Sequence, residues 1–162
     1  MFGLTTLGIV HTAVSLIALV TGFILIVRDR TISPSARFGP TYLLATVVTA
    51  ATALGIFRHG GFGPPHALAI LTLVAVAAGW AATYMNIFGR ASAHMEAICY
   101  SATYLFHLIP GFTETLTRLP VGAPIAASDQ APILQAIDAT LLALFVVWVG
   151  WQLWRLSVRA SR

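Results

Sequence analysis

Lysine is absent from this chain, and cysteine occurs once, at Cys99. A single cysteine excludes an intrachain disulfide and any CxxC metal or redox pair, and it leaves the redox compartment unread. Its ordinary place is a small packing position on a helix. Charge is also scarce. Only 9% of the 162 residues are charged, against about a quarter in a soluble domain. There is no HExxH and no paired ExxH, so no spacing that by itself holds a metal is present. No nucleophile–base arrangement is recognisable, which leaves specific enzyme chemistry without residues to carry it. Internal repeats are missing, which argues against an inverted-repeat transporter within one chain. The opening stretch MFGLTTLGIVHTAVSLIALVTGFILIVRDR lacks both a basic start and an A-x-A site. It reads as a retained first helix and not as a signal peptide.

Apolar sequence is what the chain has in quantity, at 58% of residues. Crossing about 30 Å of hydrocarbon takes about 20 residues. Four runs reach that length: 7–27, 38–57, 66–88 and 132–154. A fifth segment, 92–115, has marginal hydropathy. The nine basic residues, all arginine, against five acids give a net charge of +4. They flank apolar runs singly, so the basic stripe of a nucleic-acid binder is missing.

The arginines also set a topology, because cytoplasmic loops collect basic residues. With five crossings and the amino terminus outside, Arg28, Arg30, Arg37, Arg90, Arg155, Arg159 and Arg162 fall on the cytoplasmic side. Arg58 and Arg118 fall outside. The competing arrangement, four crossings plus an interfacial helix at 92–115, puts the arginine-rich carboxyl terminus outside. The expected fold is therefore all-α, an integral membrane bundle of five transmembrane helices in a single domain. Its amino terminus is out and its carboxyl terminus is in. Punctuation agrees. SPSAR and HGGFGPPH are short connections, and Ser128 or Asp129 precedes Pro132 as a helix start. Trp148, Trp151 and Trp154 ahead of Arg155 read as an aromatic belt. Small residues on helices two and three (Thr46, Thr49, Ala50, Ala53; Ala75, Ala78, Gly79, Ala82) allow close helix approach.

The fifth segment is the polar one. In AHMEAICYSATYLFHLIPGFTETLTR (93–118), Glu96, Tyr100, Thr103, His107 and Glu114 fall on one helical face. A polar stripe inside a bilayer has to face protein, water or a ligand. Placed by depth, His11, His66, His107, Glu114 and Asp138 occupy the outer half on four helices. Asp138 sits about two turns into the last helix, roughly 9 Å at 1.5 Å per residue. His59 lies in the outer loop. His94 and Glu96 sit at the cytoplasmic end, where an acid favours the helix start.

Imidazoles and carboxylates from separate helices are the donor set of a transition-metal site, with His11, His66, His107, Glu114 and Asp138 as candidate ligands. His11 and His107 are the candidates for a cofactor such as haem or a quinone. Plainer roles stand beside these. Glu114 and Arg118 have the spacing of a helix-end ion pair. His66 follows Pro64-Pro65 at the interface, and His11 can bond a neighbouring helix. Pro110 removes the hydrogen bond to the Phe106 carbonyl, and a kink there either opens a small polar cavity or improves packing.

Four stretches carry a family likeness: the early His11, RFGP (37–40), GPPHALAILTLVAVAAG (63–79) and HMEAICYSATYLFHLIPGFTETLTRLPVG (94–122). In these the chain resembles predicted bacterial multipass membrane proteins of a domain-of-unknown-function family. The resemblance spans most of the chain. It implies an inner-membrane protein and supplies no activity. The HRxxG opening associated with helix two is absent here, since Phe38 and Gly39 follow Arg37 without the histidine, which weakens the match and any ligand role there.

Three functions follow as expectations. The first is an accessory or assembly subunit of a larger membrane complex, supported by short loops and small-residue helix faces. The second is a membrane-embedded protein binding a metal, haem or quinone. The third is a protomer of an oligomeric transporter or channel. The expected partners are the lipid bilayer and other membrane subunits or a second copy.

Overall fold

The computed structural model describes residues 5–57 and 61–160. Arg58, His59 and Arg162, which enter the topology above, lie outside the described residues. The described chain is all-helical: α1 (Thr6–Asp29), α2 (Gly39–Ala53), α3 (Pro64–Trp80), α4 (Ser92–Leu116) and α5 (Pro132–Ala160). A π-helical turn, Ala81–Met85, extends α3, and a short 3₁₀ turn, Gly89–Ala91, leads into α4.

The helix ends follow local chemistry. Thr5 caps α1 by accepting the Gly8 N–H at 3.1 Å, which satisfies one of the orphan donors of the first turn. Arg30 ends α1 in the left-handed region, at φ 59°. Pro64 and Pro132 stand in the first positions of α3 and α5, where a missing N–H costs nothing. Gly39 opens α2 because a Cβ there would meet the Ser33 carbonyl oxygen at 2.0 Å. The RFGP sequence is thus a packing requirement of the α1–α2 turn. Pro110 is carried inside α4, which runs on to Leu116.

Among the described residues, three helices are long and apolar enough to cross a membrane: α1, α3 with its π turn, and α5. The other two differ from expectation in opposite ways. The run 38–57 forms only the 15-residue α2, about 22 Å long at 1.5 Å per residue, because the chain turns out of the helix at Leu54 and Gly55. Helix α4 has 25 residues but is the polar one.

Successive helices run antiparallel. Near one end His11 of α1 meets Thr49 and Thr52 of α2. At the other end Ser33 meets Glu96, and His94 meets Ser157. Helix α4 packs against α1, α3 and α5, while α2 joins α1 to α3. Its buried residues include Tyr100, Ser101, Thr103, Leu105 and His107. The core is built from Ala18, Leu25, Ile32, Tyr42, Ala45 and Tyr100. By contrast α1 and α5 present long apolar surfaces, among them Leu16, Val20, Phe23, Leu144 and Val147. Such a surface suits hydrocarbon and not water.

Close approach to α4 is made possible by glycine. A Cβ on Gly79 would stand 2.6 Å from the Tyr100 ring, and one on Gly22 would stand 2.5 Å from the Tyr104 ring. The two tyrosines sit in notches on α3 and α1. Gly79→Leu should therefore overpack this contact and lower stability by about 1–3 kcal/mol. Gly150→Leu, on α5 where an added Cβ meets open space, should be nearly neutral. Heating in detergent with a thiol-reactive dye reads both, since Cys99 is free and buried and reacts on unfolding. Equal melting midpoints for the two variants would contradict the notch.

Candidate functional site

The polar residues of α4 meet a row of threonines on α2. Thr46, Thr49 and Thr52 are three apart, so they share one stripe of that helix. Thr46 is fully buried, and its hydroxyl lies 3.0 Å from Nε2 of His107. One turn away, Tyr42 is also fully buried. Its hydroxyl is 2.7 Å from Oγ1 of Thr103. The Thr103 hydroxyl donates to the Tyr100 carbonyl at 2.7 Å. A hydroxyl has one proton to give, so Tyr42 is the donor in the pair. The Tyr42 ring also meets the His107 ring edge-on, 6.2 Å between centroids.

His11 closes the same group from α1. Its Nδ1 is 3.0 Å from the Thr49 carbonyl oxygen and 3.1 Å from Oγ1 of Thr52. A carbonyl only accepts, so Nδ1 carries the proton, and in the neutral ring Nε2 keeps its lone pair. His107 is within electrostatic reach of His11. The Thr49 hydroxyl is buried without a hydrogen-bond partner among the described residues. Two imidazoles from α1 and α4 thus converge on one stripe of α2.

His66 has the opposite tautomer. Its Nδ1 accepts the Gly63 N–H at 3.2 Å, so the ring proton sits on Nε2. That atom is buried and has no acceptor among the described residues. The ring lies against Phe57 and Phe62, with centroids 4.7 and 5.3 Å away. The structure therefore gives His66 a buried donor, and metal binding through Nε2 would require moving its proton. Glu114 pairs with Arg118 one turn on, the helix-end ion pair anticipated from spacing. Asp138 is half-exposed on α5, and its Oδ1 is shielded without a partner among the described residues.

Of the five candidate metal ligands, His11 and His107 are brought near each other. No group of three or more His, Cys, Asp or Glu side chains able to hold a metal forms among the described residues. Two of the other three are committed elsewhere: His66 is held under two phenylalanines and Glu114 is held by Arg118, while Asp138 stands on α5 with Oδ1 unpartnered among the described residues. At the opposite end, Glu96 accepts from the Ser33 hydroxyl at 2.7 Å. Tyr42 and Thr52 were not anticipated as polar partners, and Thr46 and Thr49 were read only as small packing residues. The three-residue spacing of the α2 threonines was the available signal.

Removing Thr103 takes this acceptor from the buried Tyr42 hydroxyl, while removing Tyr42 leaves Thr103 its bond to the Tyr100 carbonyl. A double-mutant cycle with Tyr42→Phe and Thr103→Val should give a coupling of about 0.6 kcal/mol, with about 1.7 as the upper end for polar pairs between membrane helices. Thermal unfolding in detergent supplies the four stabilities. Strict additivity would remove this bond from the account of α4 packing.

The chain matches no protein-family model, no curated protein and no solved structure. The site therefore rests on the geometry of this chain alone.

Proposed function

We propose that the protein is an accessory or assembly subunit of a larger membrane complex. In this reading it sits in a bacterial inner membrane with five crossings, its amino terminus outside and its carboxyl terminus in the cytoplasm. The observation that carries the reading is α5. It is long enough to span, packs on α4, and only 11% of its most apolar stretch is buried within the chain. Asp138 interrupts that helix with a carboxyl oxygen that nothing described satisfies. Ionisable groups in such segments pair with a neighbour or mark a functional path. A donor from a second membrane protein would complete this one.

The histidines support the same view, since His11 and His107 are used to join α1, α2 and α4. Solubilised in mild detergent, the protein should migrate with a larger partner, well above its 17.2 kDa. Asp138→Ala should weaken that association at least about tenfold while the melting midpoint of the isolated chain holds. A stable monomer that carries no partner would sink the proposal.

A second reading, a metal, haem or quinone protein, is favoured by one observation. The Thr49 carbonyl fixes the proton of His11 on Nδ1, which is the second-shell arrangement of a ligating imidazole. The reading takes His11 and His107 as cofactor residues, with His66, Glu114 and Asp138 recruited by movement. Purified protein should then hold stoichiometric metal or absorb between about 350 and 600 nm, and His11→Ala should abolish either signal. A metal-free, colourless preparation with no quinone extracted from it would leave the subunit reading alone.

A further inference from the structure

The end of the bundle opposite the histidines holds a groove of about 200 Å³ between the end of α1, the start of α4 and the end of α5. Its charged lining is Asp29, Arg30, Glu96, Arg155 and Arg159. The acids are engaged: Asp29 is 3.8 Å from Arg28, and Glu96 accepts from Ser33. The arginines are not. No ion pair forms to Arg30, Arg155 or Arg159 among the described residues. Arg155 is held with its guanidinium 4.6 Å over the Trp151 ring, which orients it without neutralising it.

Two further features point to an anion. Ala93, Glu96 and Ala97 place the first turns of the 25-residue α4 in the groove wall. The positive end of that helix favours negative charge. Gln152 also lines the groove and is only 4% exposed. One end of its amide donates to Ser101 at 3.2 Å, and the other has no partner. The Ser101 hydroxyl can serve either end of the amide, so a half-turn presents a free NH₂. A built, buried polar group is left waiting for a ligand.

We propose that this groove binds the phosphate of an anionic glycerophospholipid headgroup. The source is argued from depth. Arg30 and Arg159 stand at the ends of two membrane-length helices, and Trp148, Trp151 and Trp154 lie just above Arg155 on α5. Tryptophan at that position marks the headgroup level. A volume of about 200 Å³ falls below the roughly 300–1,000 Å³ of sites that swallow a whole drug-sized ligand. It suits a headgroup whose acyl chains lie outside, along the apolar faces of α1 and α5. Basic pockets between membrane helices recognise anionic headgroups in this way. The proposal stands independently of the subunit reading.

The test uses the full chain, delipidated in a neutral detergent. Phosphatidylglycerol, phosphatidylcholine of the same acyl chains, and soluble glycerol phosphate are added separately. Native mass spectrometry reads retention, and the Cys99 dye reads the melting midpoint. Phosphatidylglycerol alone should be retained and raise the midpoint. Arg30→Gln/Arg159→Gln should lose at least about tenfold in apparent affinity, from two lost headgroup charges. Arg37→Gln/Arg90→Gln, the same charge change at exposed positions outside the groove, should retain the lipid. If the double variant does not fold, Arg159→Gln alone, at an exposed helix end, should still weaken retention. Equal retention of the two lipids would overturn the proposal, as would equal losses in the Arg37/Arg90 and Arg30/Arg159 variants. Binding of glycerol phosphate as strong as that of the lipid would also overturn it, in favour of a soluble phosphate.

Discussion

The polar face of α4 has to be satisfied by other helices, and the rest of the bundle follows from that requirement. Ser101, Thr103 and His107 are buried on it. In hydrocarbon no water is present to take their hydrogen bonds, and an unpaired group costs several kcal/mol by order of magnitude. Helix α4 therefore occupies the middle, with α1, α3 and α5 around it. Each partner is a side chain on a neighbour: Thr46 for His107, Tyr42 for Thr103, Gln152 for Ser101. On the α1 and α3 sides, Gly22 and Gly79 allow close approach by giving up the Cβ that would strike Tyr104 and Tyr100.

That arrangement divides labour between apolar and polar surface in a way that inverts a soluble protein. Large apolar side chains on α1 and α5 face outward, while threonine, serine, tyrosine and histidine fill the interface between helices. Apolar burial contributes little to association when lipid is the alternative, so packing and hydrogen bonding hold the helices together. The connections serve the same end. The turn between α1 and α2 is closed by Gly39 against the Ser33 carbonyl, while the Ser33 hydroxyl reaches Glu96 across 63 positions of sequence. One residue thereby ties the turn to the first turns of α4.

Much of this was legible in the sequence, for identifiable reasons. Length and hydropathy are one-dimensional, so the helices and the membrane class could be read from runs of residues. The stripe of Tyr100, Thr103 and His107 could be read because the period of a helix is fixed, and all three turned inward. The ion pair of Glu114 with Arg118 is a local relation and was equally visible. What could not be read was the partner of each polar group. Thr46 and Thr49 look like packing residues until the rotation of α2 about its axis is known. Likewise, depth placed five ionisable groups in one half of the bundle, but depth does not fix azimuth. His66 turned to its own loop and Asp138 stayed on the outer helix. The shortness of α2 was hidden because LGIF is as apolar inside a helix as in the turn that ends it.

The two ends of the bundle then differ in how completely their polar groups are used. At the histidine end, His11 and His107 have partners, and three atoms have none among the described residues: the Thr49 hydroxyl, Nε2 of His66 behind its phenylalanines, and Oδ1 of Asp138 on α5. At the arginine end, the acids have partners, while Arg30, Arg155 and Arg159 have no ion pair among the described residues. Unpaired guanidinium groups are tolerable only where water or anions reach them, so this end must lie at the membrane surface whichever way the chain is inserted. In the proposed orientation it is the cytoplasmic end. The same arginines then have two compatible consequences. In that reading their number orients the protein during insertion, and their convergence around Gln152 leaves a polar groove at headgroup depth afterwards. Orientation needs only charge, scattered anywhere along the loops. Convergence on a buried, half-satisfied amide needs a particular packing of α1, α4 and α5, and orientation alone gives no reason for it.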